Sequence, residues 1–119
     1  DVQFAMRETS LGLVPDLTGT HPLVGLVGYG RALEICVTGR FVLAEEAVTS
    51  GLANLAVPVD QLDDAVRDLA GAIVAAPRDA VIETKALIRG AVDRTYDEQR
   101  GAERAAQARR LRDLAGLGE

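Results

Sequence analysis

The sequence predicts a mostly helical protein with one or two short strands. Apolar residues recur at helical spacing through the second half, and Gly, Pro and capping residues bound the candidate helices. Only residues 2–6 and 52–59 have the short apolar composition of strands. Because two strands do not form a stable sheet alone, we expect them to belong to a sheet whose other strands lie elsewhere.

Three short helices are predicted in the first half, after a loop at 9–20 that is rich in Gly, Pro and Asp. The first covers 20–27, with Thr20 as its N-cap. The second covers 30–37 and the third covers 44–50. Each of these two is followed by a Gly, which commonly ends helices because it adopts the left-handed backbone conformation.

The predicted second strand, 52–59, leads directly into a predicted helix. Pro58 lies late in this strand, where its missing N–H does least harm. Asp60 is the predicted N-cap of the helix that follows. That helix carries an apolar stripe formed by Leu62, Val66, Leu69 and Ile73.

Two further helices complete the predicted order. One begins at Pro77 and runs to about residue 92. The other opens with Thr95 and Glu98, a Thr-x-x-Glu capping box in which each side chain bonds the other residue's backbone N–H. It runs to about residue 114.

Composition and charge exclude several classes of function. The net charge is −5 with a pI near 4.9, which argues against binding to nucleic acid. No apolar run approaches the roughly 20 residues that span a bilayer, so no membrane partner is expected. The single cysteine fits a reducing compartment, and we predict a cytoplasmic protein. No cluster of Cys and His predicts a metal site.

Length and side-chain size indicate dependence on a partner. Aromatic residues make up only 3% of the 119 residues, so the core must use Ala, Val, Leu and Ile. A chain of this length buries only about two-thirds of its unfolded surface. The first residues contain neither an initiator Met nor a signal-peptide pattern, so we expect the chain to begin within a longer protein or after processing.

Three blocks of sequence carry a family resemblance. Residues 4–20, FAMRETSLGLVPDLTGT, are similar to F-x-x-P-E-x-x-L-G-L-x-P-D-x-G-G-T. Residues 26–34 match L-V-G-x-x-R-A-x-E, and residues 38–52 match T-G-x-x-x-x-A-x-E-A-x-x-x-G-L. Together these blocks resemble the C-terminal half of the crotonase (enoyl-CoA hydratase/isomerase) superfamily. The departures are Arg7 for a usual Pro, Thr18 for a Gly and Gly25 for a common Arg.

The resemblance implies a crotonase-like α/β fold in two parts. Residues 1–59 would be the end of the catalytic core, with its active-site loop, short helices and a strand. Residues 60–119 would be the C-terminal helical segment that takes part in trimer formation.

The resemblance also implies the chemistry. In the family, two backbone N–H groups hold the thioester carbonyl, and two acidic side chains flank the double bond. Glu8 aligns with the acid that delivers a proton to the α-carbon. Asp16 aligns with an Asp that handles the proton in some isomerase-like relatives. The alternative, which the residues alone favour, is that Glu8 is a solvated loop glutamate and that Asp16 is a turn residue after a Pro.

Gly12 and Lys85 are the predicted substrate-binding residues. Gly12 would give the loop its backbone conformation. Lys85 would lie near a phosphate of CoA, and the alternative for it is a solvated stem along a helix. No cofactor is implied beyond the coenzyme A thioester, which is the substrate.

Three functions remain open at this point. The chain could serve an enoyl-CoA hydratase, an enoyl-CoA isomerase, or a non-catalytic assembly module or truncated remnant. In the family, both oxyanion donors and the water-activating glutamate lie in the N-terminal half, so we expect the isolated chain to be inactive. The implied partners are an acyl-CoA, copies of the chain in a trimer or hexamer, and a complementing N-terminal half.

Overall fold

A computed structural model describes residues 2–116 and divides the chain into two compact units, with the division between Val59 and Asp60. The first unit contains strand β1 (Gln3–Phe4), a 3₁₀ helix (Glu8–Leu11), helices α1 (Thr20–Val27) and α2 (Tyr29–Thr38), strand β2 (Val42–Leu43) and helix α3 (Ala44–Thr49). A second 3₁₀ helix spans Val59–Gln61. It is followed by α4 (Leu62–Ala75), α5 (Arg78–Ala91) and α6 (Tyr96–Leu114). The described chain is therefore mostly helical with two short strands, as the sequence predicts.

The two strands form an antiparallel ribbon. Gln3 pairs with Leu43, and Phe4 pairs with Val42. Val42 is 1% exposed and belongs to the core, whereas Leu43 faces outward. This alternation follows from the opposite directions of successive side chains in a strand. The ribbon connects the segment before Glu8 to the core of the first unit.

Small aliphatic side chains build that core. The buried members are Leu23, Ala32, Ile35, Val42 and Ala47. Partly buried Met6, Val27, Cys36, Leu52 and Ala53 pack around them. The sequence-based expectation of a core without large aromatics is confirmed for this unit.

The second unit is an assembly of three helices with little burial. Helices α5 and α6 pack against each other, and Ala106 of α6 is 3% exposed. The predicted capping box is confirmed: Thr95 accepts a bond from the Glu98 backbone N–H, and the Glu98 carboxylate accepts from the Thr95 N–H. On α4, the predicted stripe exists, but Leu62, Val66, Leu69 and Ile73 are each about half exposed.

One predicted strand is wrong. Residues 52–59 form bends and irregular chain that lead into the Val59–Gln61 3₁₀ helix. Pro58 lacks an N–H for a ladder. Within residues 2–116, β1 and β2 bond only each other, and a strand needs a neighbour to satisfy its backbone.

Two predicted N-caps are also wrong. Gly19 precedes α1 as its N-cap, so Thr20 is already the first helical residue. Gln61 precedes α4, because Asp60 is taken up by the 3₁₀ turn before it. Neither helix start has a side-chain cap. Both helices nevertheless begin within two residues of the predicted positions.

No helix in residues 2–116 is both long and apolar enough to cross a membrane.

Candidate functional site

Glu8 opens the 3₁₀ helix that follows β1, at the point where the chain leaves the ribbon. Its side chain is half-buried. Its Oε2 atom is buried and has no hydrogen-bond partner among residues 2–116. Buried polar side-chain atoms are usually hydrogen-bonded, so this oxygen retains an unused capacity to bond.

The turn that carries Glu8 is fastened to the end of α2. Thr9 Oγ1 donates a 2.6 Å hydrogen bond to the carbonyl oxygen of Cys36. Arg7 Nη1 donates a 2.9 Å bond to the carbonyl oxygen of Gly39. The Arg7 guanidinium also lies 5.2 Å from the centre of the Phe41 ring, within reach of a cation–π interaction. These long-range contacts were not predicted from the sequence.

Gly12 closes the turn through its backbone. Its φ is +73°, a left-handed value that Gly adopts without steric cost. Its N–H bonds the carbonyl oxygens of Glu8 and Thr9, and the Leu13 N–H bonds the Glu8 carbonyl at 2.9 Å. The expected conformational role of Gly12 is confirmed, while its part in substrate binding remains a prediction.

Asp16 lies further along the same loop and is exposed. The loop then passes through Thr18, whose φ of +62° is left-handed although Thr is β-branched. That conformation is unfavourable for a side chain branched at Cβ. The family pattern has Gly at this position, so the substitution noted in the sequence leaves a strained residue beside α1.

Lys85 belongs to the second unit and is exposed on α5. Its exposed position agrees with the alternative that the sequence left open. A role for Lys85 in holding a CoA phosphate remains a prediction.

Cys36 is a neighbour of Glu8 that was not among the predicted site residues. Burial raises the pKa of the Cys36 thiol, and the negative charge of the Glu8 carboxylate raises that pKa further. Both effects disfavour the thiolate.

Apolar cavities adjoin this region. One of about 430 Å³ is lined largely by side chains of β1, α1, α2 and β2, among them Phe4, Leu23 and Ile35. A smaller one of about 160 Å³ lies between α1 and α2 and includes Tyr29 and Cys36. The sequence signal for both was the apolar face of each short helix, which does not by itself distinguish a core from a pocket.

Arg40 forms ion pairs with two glutamates, one on α2 and one on α3. Its guanidinium donates to Glu34 at 2.7 Å and to Glu46 at 2.6 Å. These hydrogen bonds lower the pKa of both carboxyls, and they raise the pKa of Arg40. The bonds connect α2 to α3 across the β2 segment.

Within residues 2–116, no group of three or more His, Cys, Asp or Glu side chains is placed to hold a metal ion.

Comparison with known proteins identifies the fold described above. Residues 1–113 match the family model of enoyl-CoA hydratase/isomerase. The chain belongs to the enoyl-CoA hydratase/isomerase family. Within this family it is 40% identical over 82 residues to methylglutaconyl-CoA hydratase 1, mitochondrial, of Pyricularia oryzae, a match covering 66% of this chain and 24% of that protein. It is 33% identical over 91 residues to the short-chain-enoyl-CoA hydratase of Clostridium acetobutylicum, covering 76% and 35% respectively.

Solved structures of the enoyl-CoA hydratase/isomerase family have the same fold. A Thermobifida fusca protein assigned as an enoyl-CoA hydratase was crystallised in complex with CoA. It superposes with a TM-score of 0.88 at 46% identity, over 96% of this chain and 44% of that one. The same protein was also crystallised with acetoacetyl-CoA, where the TM-score is 0.87. This chain spans less than half the length of each of these relatives.

Proposed function

We propose that this chain provides the proton-donating part of an enoyl-CoA hydratase site, with Glu8 as the acid. The observation that carries the proposal is the buried, unpaired Oε2 atom of Glu8 on a turn fastened to the core. A carboxyl oxygen with no partner within residues 2–116 is available to a substrate atom. The CoA complexes of the Thermobifida fusca relative support an acyl-CoA as that substrate.

The proposed reaction is the syn addition of water to a 2-trans-enoyl-CoA, as in fatty-acid β-oxidation. The water oxygen bonds to the β-carbon, and the π electrons of the double bond move toward the α-carbon and the thioester. Glu8 delivers a proton to the α-carbon, and a second acidic group removes one from the water. General acid–base help of this kind contributes about 10²–10⁴ in rate.

Catalysis by this mechanism needs groups from outside this chain. The proposal assigns the water-activating acid and the two thioester-binding N–H groups to a complementing N-terminal half. Loss of one such donor costs about 10²–10³ in rate. We therefore expect the purified 119-residue chain to be inactive alone.

The test is hydration of crotonyl-CoA by the assembled subunit that carries this sequence, followed as loss of the conjugated-enoyl absorbance. Glu8→Gln should lower kcat by about 10²–10⁴. Glu45→Gln, at an exposed position in the first turn of α3, is the matched control and should retain activity. Full activity of Glu8→Gln would remove the basis of the proposal.

A 3-enoyl-CoA offered in parallel separates isomerase from hydratase, and Asp16→Asn tests whether Asp16 handles the proton in that reaction.

A second candidate function is assembly, favoured by the exposed apolar stripe of α4. Leu62, Val66, Leu69 and Ile73 are each about half exposed on one helix. Side chains of this type at helical spacing are typical of a helix that packs against another surface. Sedimentation of the wild type beside Val66→Glu tests this candidate. A trimer or hexamer that Val66→Glu dissociates would support it, and a monomeric wild type would argue against it.

A further inference from the structure

Arg7 and Thr9, the residues on either side of Glu8, both donate hydrogen bonds to the C-terminal end of α2. We propose that these two residues are positioning residues that fix the direction of the Glu8 carboxyl. The inference rests on the proposed function of Glu8 as the acid. Neither residue is part of the predicted site, and Arg7 departs from the family pattern.

The Thr9 bond uses an acceptor that the helix leaves free. The last four carbonyls of an α-helix have no N–H partner within the helix. The Cys36 carbonyl is among them, because α2 ends at Thr38. Thr9 satisfies it at 2.6 Å across 27 residues of sequence. The residue directly after Glu8 is thereby tied to a helix whose Ala32 and Ile35 are buried in the core.

The Arg7 bond fixes the other side of Glu8. Its guanidinium reaches the Gly39 carbonyl at 2.9 Å and lies over Phe41. The negative end of the α2 dipole also favours a cation at this place. A hydrogen bond on one side only would leave the turn free to rotate about it. Hydrogen bonds from the residues on both sides of Glu8 fix the direction of the Glu8 side chain. In the family pattern a Pro restricts the backbone here through its ring. Arg7 supplies the restriction through its side chain.

Gly39 allows the close approach that both bonds need. It is buried, has a φ of +61°, and a Cβ at this position would collide with the Ser10 Oγ atom of the turn. The turn and the end of α2 are therefore in direct contact over Arg7, Thr9 and Ser10.

The first part of the test measures the turn without any activity. Amide hydrogen exchange at Gly12 and Leu13 reports closure of the turn, because both N–H groups bond the Glu8 carbonyl. In the full chain, Thr9→Val should raise these exchange rates about tenfold, since it removes the hydroxyl and keeps the shape. Thr9→Ser should leave them near wild type. Thr49→Val is the control, because the Thr49 hydroxyl bonds within its own helix, α3, to the Glu46 carbonyl.

The second part measures kcat and KM of the assembled, active subunit. Thr9→Val and Arg7→Ala should each lower kcat about tenfold, and together about 10²-fold, with KM changed less than about twofold. That split is expected because neither side chain is proposed to touch substrate. Thr9→Ser keeps the hydroxyl and should have a kcat near that of the wild type, unlike Thr9→Val. Arg7→Lys keeps a cationic donor at this position and should lower kcat less than Arg7→Ala does.

The outcomes separate this inference from the proposed function. We call the Arg7 and Thr9 hydrogen bonds to the end of α2 the clamp. If the Thr9→Val, Arg7→Ala double variant shows unchanged exchange at Gly12 and Leu13, the clamp does not hold the turn. If that double variant exchanges faster but keeps its kcat, while Glu8→Gln is inactive, then Arg7 and Thr9 do not position Glu8 for catalysis. If Glu8→Gln is fully active, the proposed function fails and the positioning role fails with it, while exchange still decides whether the clamp exists.

Discussion

Arg109 donates two hydrogen bonds, each 2.7 Å long, to the two carboxylate oxygens of Glu83, which lies 26 residues earlier. This bidentate pair joins α6 to α5 within the second unit. The hydrogen bonds from Arg109 lower the pKa of Glu83. Only Arg presents the planar pair of donors that matches a carboxylate in this way.

Arg109→Lys should raise the pKa of Glu83 toward its ordinary value, as measured by NMR titration of its carboxyl carbon. A carboxyl whose pKa is depressed in the folded state stabilises the fold above its unfolded pKa, near 4.3, and loses that contribution as pH falls through the folded pKa. The difference in melting temperature between wild type and variant should thus be larger at pH 7 than at pH 3. Arg112→Lys, exposed in the last turn of α6, is the control. A Glu83 pKa that does not move would contradict the assignment.

Replacing Thr18 by Gly should stabilise the first unit. The left-handed conformation costs an L-residue roughly 1–2 kcal/mol. Gly avoids that cost but loses more conformational entropy on folding, which offsets up to about 1 kcal/mol of the gain. The expected net gain in the free energy of unfolding is therefore about 0.5–1 kcal/mol, measured by denaturant titration. Thr20→Gly, two residues later and inside α1, should destabilise instead. Equal effects of both variants would show that backbone strain at Thr18 is unimportant.

Gly39→Ala should be strongly destabilising, because Ala is disfavoured at a φ of +61° and its methyl group would collide with Ser10 Oγ. We expect a loss of about 2 kcal/mol or more in the free energy of unfolding. Gly25→Ala provides the contrast. Gly25 lies in α1 with no atom within 4 Å of an added Cβ, so Ala should stabilise by about 0.5–1 kcal/mol. The two variants differ by one methyl group each and should change thermal stability in opposite directions.

Thr95→Ala should lower the stability of α6 by about 1 kcal/mol, because it removes the side chain that caps the helix. Thermal unfolding followed by circular dichroism at the helical wavelengths measures the loss. Thr84→Ala, exposed in the middle of α5, replaces the same side chain without removing a cap and should be neutral or slightly stabilising. A loss at Thr84 as large as that at Thr95 would argue against the capping role.

The same capping box predicts a pH dependence. Hydrogen bonds from the Thr95 backbone and side chain lower the pKa of Glu98. Its contribution is therefore complete above the unfolded pKa and disappears as acid protonates the folded carboxylate. Glu98→Gln should weaken α6 more at pH 7 than at pH 3. The comparison requires unfolding curves of both proteins at the two pH values. A destabilisation of equal size at both values would exclude the carboxylate charge as its cause.

Local signals in the sequence predicted most helix positions. α1 occupies the predicted 20–27, and the Thr95 and Glu98 pair sets the start of α6 as predicted. These features depend on residues within one turn of each other, so composition and spacing determine them. The predicted N-caps were each wrong by one residue: Gly19 precedes α1, and Gln61 precedes α4 because Asp60 belongs to the 3₁₀ turn before it.

Long-range relationships were beyond prediction from the residues. β2 is only two residues long and has no period of its own. The apolar run 52–59 has the composition of a strand but has no strand beside it in the described chain. Family resemblance indicated Glu8 as a candidate acid, whereas the hydrogen bonds that Arg7 and Thr9 make beside it join residues 27–32 positions apart. Those contacts exist only once the chain has folded.

The thiol beside Glu8 gives the protein an internal chemical reporter. Cys36 is the only cysteine, and a raised pKa makes it a poor nucleophile at neutral pH. Alkylation by iodoacetamide or exchange with an aromatic disulfide should accordingly be slow while the turn stays docked on α2. Loosening the turn would admit water to the sulfur and move the Glu8 charge away. The rate of labelling at one atom can therefore measure how firmly the neighbouring carboxyl is held.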